Sequence, residues 1–266
     1  MATIHLMDQQ LPTLTELIAI GRGFYRAISD CHSVPWGEFS RNDQNPESHD
    51  SNHAYLDTPV STEQFSAVLR EIETFYTGTP ATARLRYYTA ILPPSLLDFA
   101  ARAGWKTRLE ESTWRAWPAS SPPAHISEIK GLTIRHVTSC NLESCHLIRE
   151  EDAAEESRPR LRRTWERLAH SPNVTPLLAC LDGEPVAVLA VVWHNQWGCV
   201  EEVVTRKRFR RLGICTALLR FAQNLAVERN CHGLMLYDLE EGPDRIYARA
   251  GFQLIGKTQC AIAWRE

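Results

Sequence analysis

One short segment, Arg210-Arg211-Leu212-Gly213-Ile214-Cys215, has the residue types and the position of an anion-binding loop. It follows an apolar run at residues 199–205 that predicts a strand, and it precedes helical apolar spacing at residues 216–229. The first N–H groups of a helix have no acceptor within it, and the helix dipole adds partial positive charge there. Gly213 lets the backbone approach a ligand where a Cβ would intrude. The surrounding basic residues, which favour a polyphosphate as the anion, are Arg206, Lys207, Arg208, Arg210 and Arg211.

Three further polar side chains could act together with that loop. Glu201 and Glu202 lie in the preceding strand, and alternation along a strand places them on opposite faces, so that one of them reaches a cleft. A carboxylate in that cleft could take a proton from an incoming nucleophile. Tyr247 carries a hydroxyl that can donate a proton or a hydrogen bond to a leaving group.

The composition is that of an ordinary globular protein. The chain has 266 residues, enough for one large domain or two ordinary ones, with 44% apolar and 23% charged residues. Its net charge of −3 makes the basic run a local feature and argues against a general nucleic-acid-binding surface. The polar start has no signal-peptide pattern, and the longest apolar run, residues 185–193, is too short to span a bilayer. We therefore expect a cytoplasmic protein without a membrane partner.

The eight cysteines are scattered and include no Cys-x-x-Cys pair. A chain of this size needs no disulfides to stabilise its core, so we interpret them as reduced thiols. Cys140, Cys145 and His146 could ligate zinc on paper, but their spacing fits no common zinc pattern, and we predict no metal.

The C-terminal half predicts a mixed α/β domain. Its predicted strands are residues 131–137, 175–181, 185–193, 199–205 and 233–239, followed by a final hairpin at 252–264. Its predicted helices are residues 141–151, 159–170, 216–229 and 244–250. Asp182-Gly183 predicts the turn of a hairpin between the second and third strands.

The end of the N-terminal half repeats the end of the C-terminal half. Residues 101–105, Ala-Arg-Ala-Gly-Trp, match residues 248–252, Ala-Arg-Ala-Gly-Phe, and the same offset places a predicted helix at residues 61–76 beside the 216–229 helix. Ser61 and Gln64 form a capping-box pattern for that helix. The repeat predicts two similarly folded domains, and chance similarity around a common helix ending is the alternative.

We place the N-terminal domain at residues 1–120, a linker at 121–130 within a stretch rich in proline and small polar residues, and the C-terminal domain at 131–266. The N-terminal copy has residues 63–68 in place of the arginine and glycine loop, and Ala100 in place of Tyr247. We expect this copy not to bind the polyphosphate and to help shape the substrate cleft.

The residues around the loop resemble the GCN5-related N-acetyltransferase (GNAT) superfamily. The family's acetyl-CoA motif, Gln/Arg-x-x-Gly-x-Gly/Ala, reads Arg210-Arg211-Leu212-Gly213-Ile214-Cys215 here, with Cys215 in place of the final glycine or alanine. A second motif, Tyr-x-x-x-Gly-Phe, reads Tyr247-Ala248-Arg249-Ala250-Gly251-Phe252. The resemblance covers residues 131–266, and the first 120 residues fit as a degenerate copy. It implies the α/β (α+β) class, with two tandem GNAT-like domains that each contain a mixed, mostly antiparallel sheet flanked by helices.

The resemblance also implies acetyl-CoA as a co-substrate. In the family, the CoA pyrophosphate lies on the N–H groups of the loop, which implies binding by Arg210, Arg211, Leu212, Gly213, Ile214, Cys215 and Thr216. The pantetheine arm bonds the backbone of the preceding strand, which implies Val203, Val204 and Thr205. We interpret Cys215 itself as a buried thiol at the start of the helix and not as a catalytic group.

The implied activity is that of an acyltransferase, an N-acetyltransferase that moves an acetyl group to a primary amine by direct attack in a ternary complex. Glu201 matches the acidic position near the substrate in many relatives and is the favoured base, with Glu202 as the second candidate. Tyr247 matches the general-acid position. The sequence leaves the acceptor open between small-molecule and peptide amines, and we expect a monomer or homodimer that binds no nucleic acid.

Other interpretations stay open. A non-catalytic acyl-CoA-binding regulatory protein would keep the loop and transfer nothing, and a weaker alternative is a nucleic-acid binder that uses residues 206–211. Glu240, Glu241 and Asp244 suit a cationic acceptor or an ordinary polar loop after a strand. The segment His49-Asp50-Ser51-Asn52-His53 predicts a solvated loop in preference to a metal or hydrolytic site.

Overall fold

The structure, a computed structural model, describes residues 11–123, 125, 127–238 and 244–266 and has the predicted mixed α/β class. The helices are α1 (Leu14–Ile28), α2 (Thr62–Tyr76), α3 (Leu96–Arg102), α4 (Leu142–Glu150), α5 (Arg158–His170), α6 (Ile214–Glu228) and α7 (Asp244–Arg249). The strands are β1 (Asp30–Val34), β2 (Gly37–Arg41), β3 (His53–Leu56), β4 (Ala83–Tyr88), β5 (Lys106–Pro118), β6 (Leu132–His136), β7 (Val174–Leu181), β8 (Glu184–His194), β9 (Trp197–Thr205), β10 (Gly233–Asp238) and β11 (Gln253–Arg265). In the described part of the chain, every helix is too short or too polar to cross a membrane.

The chain forms two compact units, and each consists of two separate segments of the sequence. The C-terminal unit contains Met1–Phe24 and Trp114–Gly256, and the N-terminal unit contains Tyr25–Thr113 and Lys257–Glu266. The boundaries therefore fall inside two strands, β5 and β11. The sequence predicts one domain at residues 1–120, a linker at 121–130 and a second domain at 131–266. Each compact unit instead combines segments from different parts of the chain.

The N-terminal unit has the strand order β1-β2-β3-β4-β11-β5. Helix α2 begins at the predicted capping box: Gln64 N–H donates to Ser61 Oγ at 3.2 Å, and Ser61 N–H donates to Gln64 Oε1 at 2.8 Å. The apolar face of α2 packs on one side of the sheet, where its buried residues are Phe65, Val68, Leu69, Ile72 and Tyr76.

The predicted hairpin at residues 252–264 is wrong, because this segment forms a single strand, β11. Its second half pairs antiparallel with β4, from Cys260 opposite Tyr88 to Arg265 opposite Ala83. Strand β4 supplies hydrogen-bond partners for the backbone of this half of β11, so that no hairpin turn is needed. Gly256 does not have a positive φ.

The solvated loop predicted at residues 49–53 is also wrong for its last three residues. Ser51, Asn52 and His53 are buried. The Asn52 amide donates to Asn45 O at 2.8 Å and to Ser48 O at 3.0 Å. Polar residues in this segment are buried because they replace water with backbone carbonyls as hydrogen-bond partners.

The C-terminal unit has the strand order β5-β10-β9-β8-β7-β6. Asp182 and Gly183 join β7 to β8 with φ values of 49° and 85°, which confirms the predicted hairpin turn. Helix α6 contributes Leu218 and Ala222 to the main core of this unit, while Cys145 of α4 and Trp165 of α5 lie in a second core cluster. The residues of β9 are thereby placed between two helical layers.

Candidate active site

The loop between β9 and α6 presents unpaired backbone N–H groups. Arg211 and Gly213 both have left-handed φ values, 66° and 83°. Ala217 N–H donates to Gly213 O at 3.0 Å and closes the first turn of α6. In the part of the chain that the structure describes, the N–H groups of residues 211–216 donate to no carbonyl or side chain. Together with the N-terminal dipole of α6, they form a site suited to an anion.

Gly213 is required by its conformation. A Cβ at this position would lie 3.5 Å from Ile129 Cδ1, which is ordinary van der Waals contact. Its φ of 83°, however, is one that residues with a side chain rarely adopt. The additional role in close ligand approach stays a prediction.

Carboxylates neutralise most of the basic residues around this loop. The contacts are Arg206 with Glu151 and Glu184, Arg208 with Glu184, and Lys207 and Arg210 with Asp152. Arg211 alone of the five forms no ion pair with any described residue. Fewer positive charges are therefore free to bind an anion than the sequence of residues 206–211 suggests. The N–H groups of residues 211–216 and the guanidinium of Arg211 are the groups best placed to bind it.

Strand β9 separates from β10 partway along its length. The parallel ladder joins Trp197, Gly198 and Cys199 of β9 to β10 and extends no further, although β9 continues to Thr205. On its other edge β9 pairs with β8, and the register shifts where Glu202 has a φ of 55°. A bulge of this kind bends a strand and increases its twist.

This separation leaves part of the edge of β9 available to a ligand. Val203 and Val204 lie in the separated stretch, beyond the last residue of β9 that pairs with β10. The carbonyl of Thr205 accepts a hydrogen bond from Arg210 Nε at 3.0 Å, so this carbonyl is already engaged by the chain itself. An extended ligand could bond the free edge as an added strand does.

The two carboxylates of β9 contact different elements, as the alternation predicts. Glu202 Oε2 accepts a hydrogen bond from Trp165 Nε1 at 3.0 Å and lies 2.8 Å from Arg149 Nη2. Glu201 Oε1 instead accepts from the Cys199 thiol at 3.2 Å. The charge of Glu201 is also one of the lesser causes of the raised pKa of Tyr247.

Tyr247 is a buried tyrosine whose hydroxyl is available to a ligand. It is 9% exposed, and its ring meets that of Phe252 edge to face at 6.3 Å. Its hydroxyl forms no hydrogen bond with the residues that the structure describes. Burial raises the pKa of Tyr247, and the nearby Cys215, Asp238 and Glu201 raise it further. The phenol is therefore protonated at neutral pH.

Sequence reasoning missed a buried ion pair beside this tyrosine. Arg115 Nε of β5 lies 3.9 Å from Asp238 Oδ2 at the end of β10, and their side chains are 8% and 9% exposed. Both charges act on Tyr247: Asp238 raises its pKa and Arg115 lowers it. The available signal was an aspartate at the carboxyl end of an apolar strand, where α/β proteins often bind ligands.

The thiol of Cys215 is half-buried at the start of α6. Burial raises the pKa of Cys215 to about 11, which is consistent with a packing role at the start of α6. Cys145 and His146 are buried in α4, whereas Cys140 is exposed. No group of His, Cys, Asp and Glu suited to a metal ion occurs among the residues described. Glu240 and Glu241 lie outside the described residues, and Asp244 is the first residue of α7.

Comparison with models of known protein families finds a match in the C-terminal half of the chain. Residues 140–252 match the family model described as "Acetyltransferase (GNAT) family". A search of the curated proteins finds no match to this chain.

Solved structures share the fold at low sequence identity. A GCN5-related N-acetyltransferase from Kribbella flavida is 16% identical, with a TM-score of 0.68 and coverage of 96% of both chains. A putative GNAT-family acetyltransferase from Novosphingobium aromaticivorans is 13% identical, with a TM-score of 0.60 and coverage of 94% of this chain and 96% of the other. A tandem GNAT protein from the clavulanic acid biosynthesis pathway is 15% identical, with a TM-score of 0.55 and coverage of 80% of this chain and 75% of the other. The tandem GNAT-like arrangement expected from the repeat is thus confirmed at the level of the fold.

Proposed function

We propose that this chain, whose residues 140–252 match the acetyltransferase (GNAT) family model, is an acetyl-CoA-dependent N-acetyltransferase. It moves an acetyl group to a primary amine of a small molecule or peptide by direct attack in a ternary complex. The observation that carries the proposal is the row of unpaired N–H groups at residues 211–216, followed on the chain by a buried tyrosine with an unbonded hydroxyl.

The pyrophosphate of CoA fits the loop that precedes α6. The N–H groups of residues 211–216 and the guanidinium of Arg211 supply donors that no residue of the described chain occupies. Hydrogen bonds to a charged group contribute about 1.5–3 kcal/mol each, which exceeds the contribution of the helix dipole, about 0.3–1 kcal/mol at an exposed site. In this proposal the pantetheine arm bonds the free edge of β9 at Val203 and Val204, next to Thr205.

Glu201 is the proposed base. An ammonium ion cannot attack a thioester, so the acceptor must lose a proton before its nitrogen forms the new bond. The Glu202 carboxylate forms an ion pair with Arg149 and accepts a hydrogen bond from Trp165, whereas Glu201 accepts a hydrogen bond from the Cys199 thiol. The ion pair of Glu202 favours Glu201 as the base.

Tyr247 stabilises the departing thiolate by donating a hydrogen bond. An ordinary thiol has a pKa of about 8.5, and the pKa of Tyr247 lies far above this value. Complete proton transfer from the phenol to the thiolate is therefore uphill, while a hydrogen bond to the thiolate is favourable. In the complete reaction Glu201 takes one proton from the ammonium group, the amine nitrogen bonds to the acetyl carbon, and the carbon–sulfur bond breaks. The second proton that the nitrogen loses passes to the departing thiolate through solvent, and CoA leaves as the free thiol.

A non-catalytic acyl-CoA-binding regulatory protein is the alternative. Its cofactor loop would have the same features, but it would not need a buried phenol whose hydroxyl has no hydrogen-bond partner among the described residues. The unbonded hydroxyl of Tyr247 therefore favours the enzyme. A cytoplasmic location, a monomeric or homodimeric state and the absence of nucleic-acid binding stay predictions.

The test is release of free thiol from acetyl-CoA by the purified chain with a panel of polyamines, amino acids, aminoglycosides and peptides with free N-termini. We expect at least one amine to increase thiol release, with a matching acetylated product in the mass spectrum. Tight acetyl-CoA binding without transfer to any member of this panel would favour the regulatory alternative. No uptake of acetyl-CoA in a calorimeter would contradict both functions.

A further inference from the structure

Polar side chains, most of them buried, lie on one face of the sheet in the N-terminal unit. Arg84, Arg86 and Tyr88 share a face of β4, since side chains alternate along a strand. In the register of the sheet, Tyr55 of β3 stands beside Arg86, and Trp264 of β11 stands beside Arg84. Two arginines and two tyrosines thus lie on this face.

Arg86 has two polar partners for its guanidinium, although its Nε is buried without a hydrogen bond. Its Nη2 lies 2.9 Å from Asp50 Oδ1, its Nη1 donates to the Tyr25 hydroxyl at 2.9 Å, and its guanidinium lies 5.4 Å from the centre of the Tyr25 ring. A charge with an acid and a hydroxyl as partners is well accommodated away from water.

Arg84, in contrast, forms no ion pair with any described residue. The residue is 5% exposed, and its Nε, like that of Arg86, is buried without a hydrogen bond. Its guanidinium lies 5.5 Å from the centre of the Trp264 ring. A buried cation without a counter-charge is strongly unfavourable, so Arg84 points to an anionic group that the described residues do not supply.

The charges around Arg84 favour an anion. Burial is the main cause that lowers the pKa of Arg84, to about 10, and repulsion from Arg86 and Arg108 lowers it further. The acids that oppose this effect already have partners: Asp50 pairs with Arg86, and Glu110 contacts Arg108. One positive charge is left without compensation.

We propose that this face of the N-terminal unit binds a small carboxylate, with Arg84 as its charged partner. A guanidinium presents two parallel N–H donors whose spacing matches a carboxylate, and one carboxylate supplies the one negative charge that is missing. Asp50, whose side chain is 42% exposed, marks the side of the cluster that is open to solvent. The proposal is independent of the acetyltransferase function, because every residue that it uses belongs to the N-terminal unit.

The experiment is calorimetric titration of the full chain with acetate and with succinate, against sodium chloride at equal ionic strength. We expect saturable binding of at least one carboxylate and a rise in melting temperature that chloride does not reproduce. Arg84→Met, which keeps an unbranched apolar stem but removes the guanidinium, should weaken this binding about tenfold or more. Arg108→Met is the matched control, since Arg108 is 55% exposed on β5, two strands away from β4, and it should bind as the wild type does.

The proposal is overturned if neither carboxylate binds to the wild-type chain, or if Arg84→Met binds as tightly as wild type. Folding of this variant is expected, because it removes an uncompensated buried charge, and near-UV circular dichroism would verify it. Should it fail to fold, Arg84→Lys keeps the charge without the planar pair of donors, and undiminished binding by that variant would contradict a bidentate contact.

Discussion

Arg149 Nη2 lies 2.8 Å from Glu202 Oε2, so the second of two adjacent carboxylates on β9 is held in an ion pair while the first contacts the Cys199 thiol. Trp165 donates to the same oxygen of Glu202, which fixes it further. The left-handed conformation of Glu202 belongs to the bulge that bends β9. We therefore assign to Glu202 a role in shaping the strand and propose Glu201 as the residue that takes the proton.

This division of roles predicts different effects for two conservative substitutions. Glu201→Gln should lower kcat about 100-fold or more, because general base catalysis contributes about 10²–10⁴-fold. The deficit should shrink as pH rises, since more of the amine is then already deprotonated. The measurement is thiol release as a function of pH at saturating acetyl-CoA.

Glu202→Gln is the matched variant, one residue away. It should lower the free energy of unfolding by about 1–3 kcal/mol, because Arg149 loses its charged partner in a mostly buried setting. The pH dependence of its kcat should stay like that of the wild type. If the pH profile changes in Glu202→Gln and not in Glu201→Gln, the two roles are reversed.

Tyr247→Phe tests the hydrogen bond to the departing thiolate. Loss of one hydrogen bond to a charged group, about 1.5–3 kcal/mol, should lower kcat about 10–100-fold. KM for acetyl-CoA should change little, because the ground-state thioester sulfur carries no charge. Phenylalanine keeps the edge-to-face packing on Phe252, so stability should be preserved. A raised KM with normal kcat would show that Tyr247 only binds the cofactor.

The sequence was sufficient for the elements that lie close to the active site. The sequence predicts helix α6 because its apolar residues follow the helical period, and it predicts strand β8 because this segment is a continuous apolar run of strand length. The turn at Asp182 and Gly183 was predicted because its two residue types favour positive φ. The loop before α6 was found for the same local reason, a glycine between a strand and a helix.

Features that depend on distant strands could not be predicted in this way. The Arg115–Asp238 pair joins residues of β5 and β10, and no local pattern relates them. The sequence predicts a hairpin at residues 252–264 because β4, the strand that pairs with β11, lies far away in the sequence. The sequence predicts a solvated loop at Asn52, because it does not reveal that the carbonyls of Asn45 and Ser48 accept hydrogen bonds from this buried amide.

Gly213 and Gly104 offer a matched pair for testing the cofactor loop. Their φ values, 83° and 85°, are nearly equal, and a Cβ at Gly104 would meet nothing within 4 Å. Alanine at either position should cost about 1–2 kcal/mol of stability, the usual cost of a left-handed residue with a side chain. Only Gly213→Ala should also weaken acetyl-CoA binding, because it disturbs the N–H groups beside it. Equal affinities of the two variants in calorimetry would exclude this loop as the binding site.

The lowered pKa of Glu151 predicts that the folded protein loses stability in acid. The Arg206 guanidinium, helped by the Lys207 N–H at 3.2 Å, holds the pKa of Glu151 below its ordinary value of 4.5. A carboxyl group with a depressed pKa in the folded state stabilises the protein at pH values above its ordinary pKa, and this contribution is lost as the pH falls through the lowered value. Wild type should therefore be more stable than Glu151→Gln at neutral pH, and the difference should narrow below about pH 4.5. Urea unfolding at several pH values measures this difference. Glu156→Gln, at an exposed carboxylate without an ion pair to any described residue, is the control and should show no such narrowing. A difference between wild type and Glu151→Gln that stays constant with pH would mean that the contact with Arg206 does not stabilise the start of the loop.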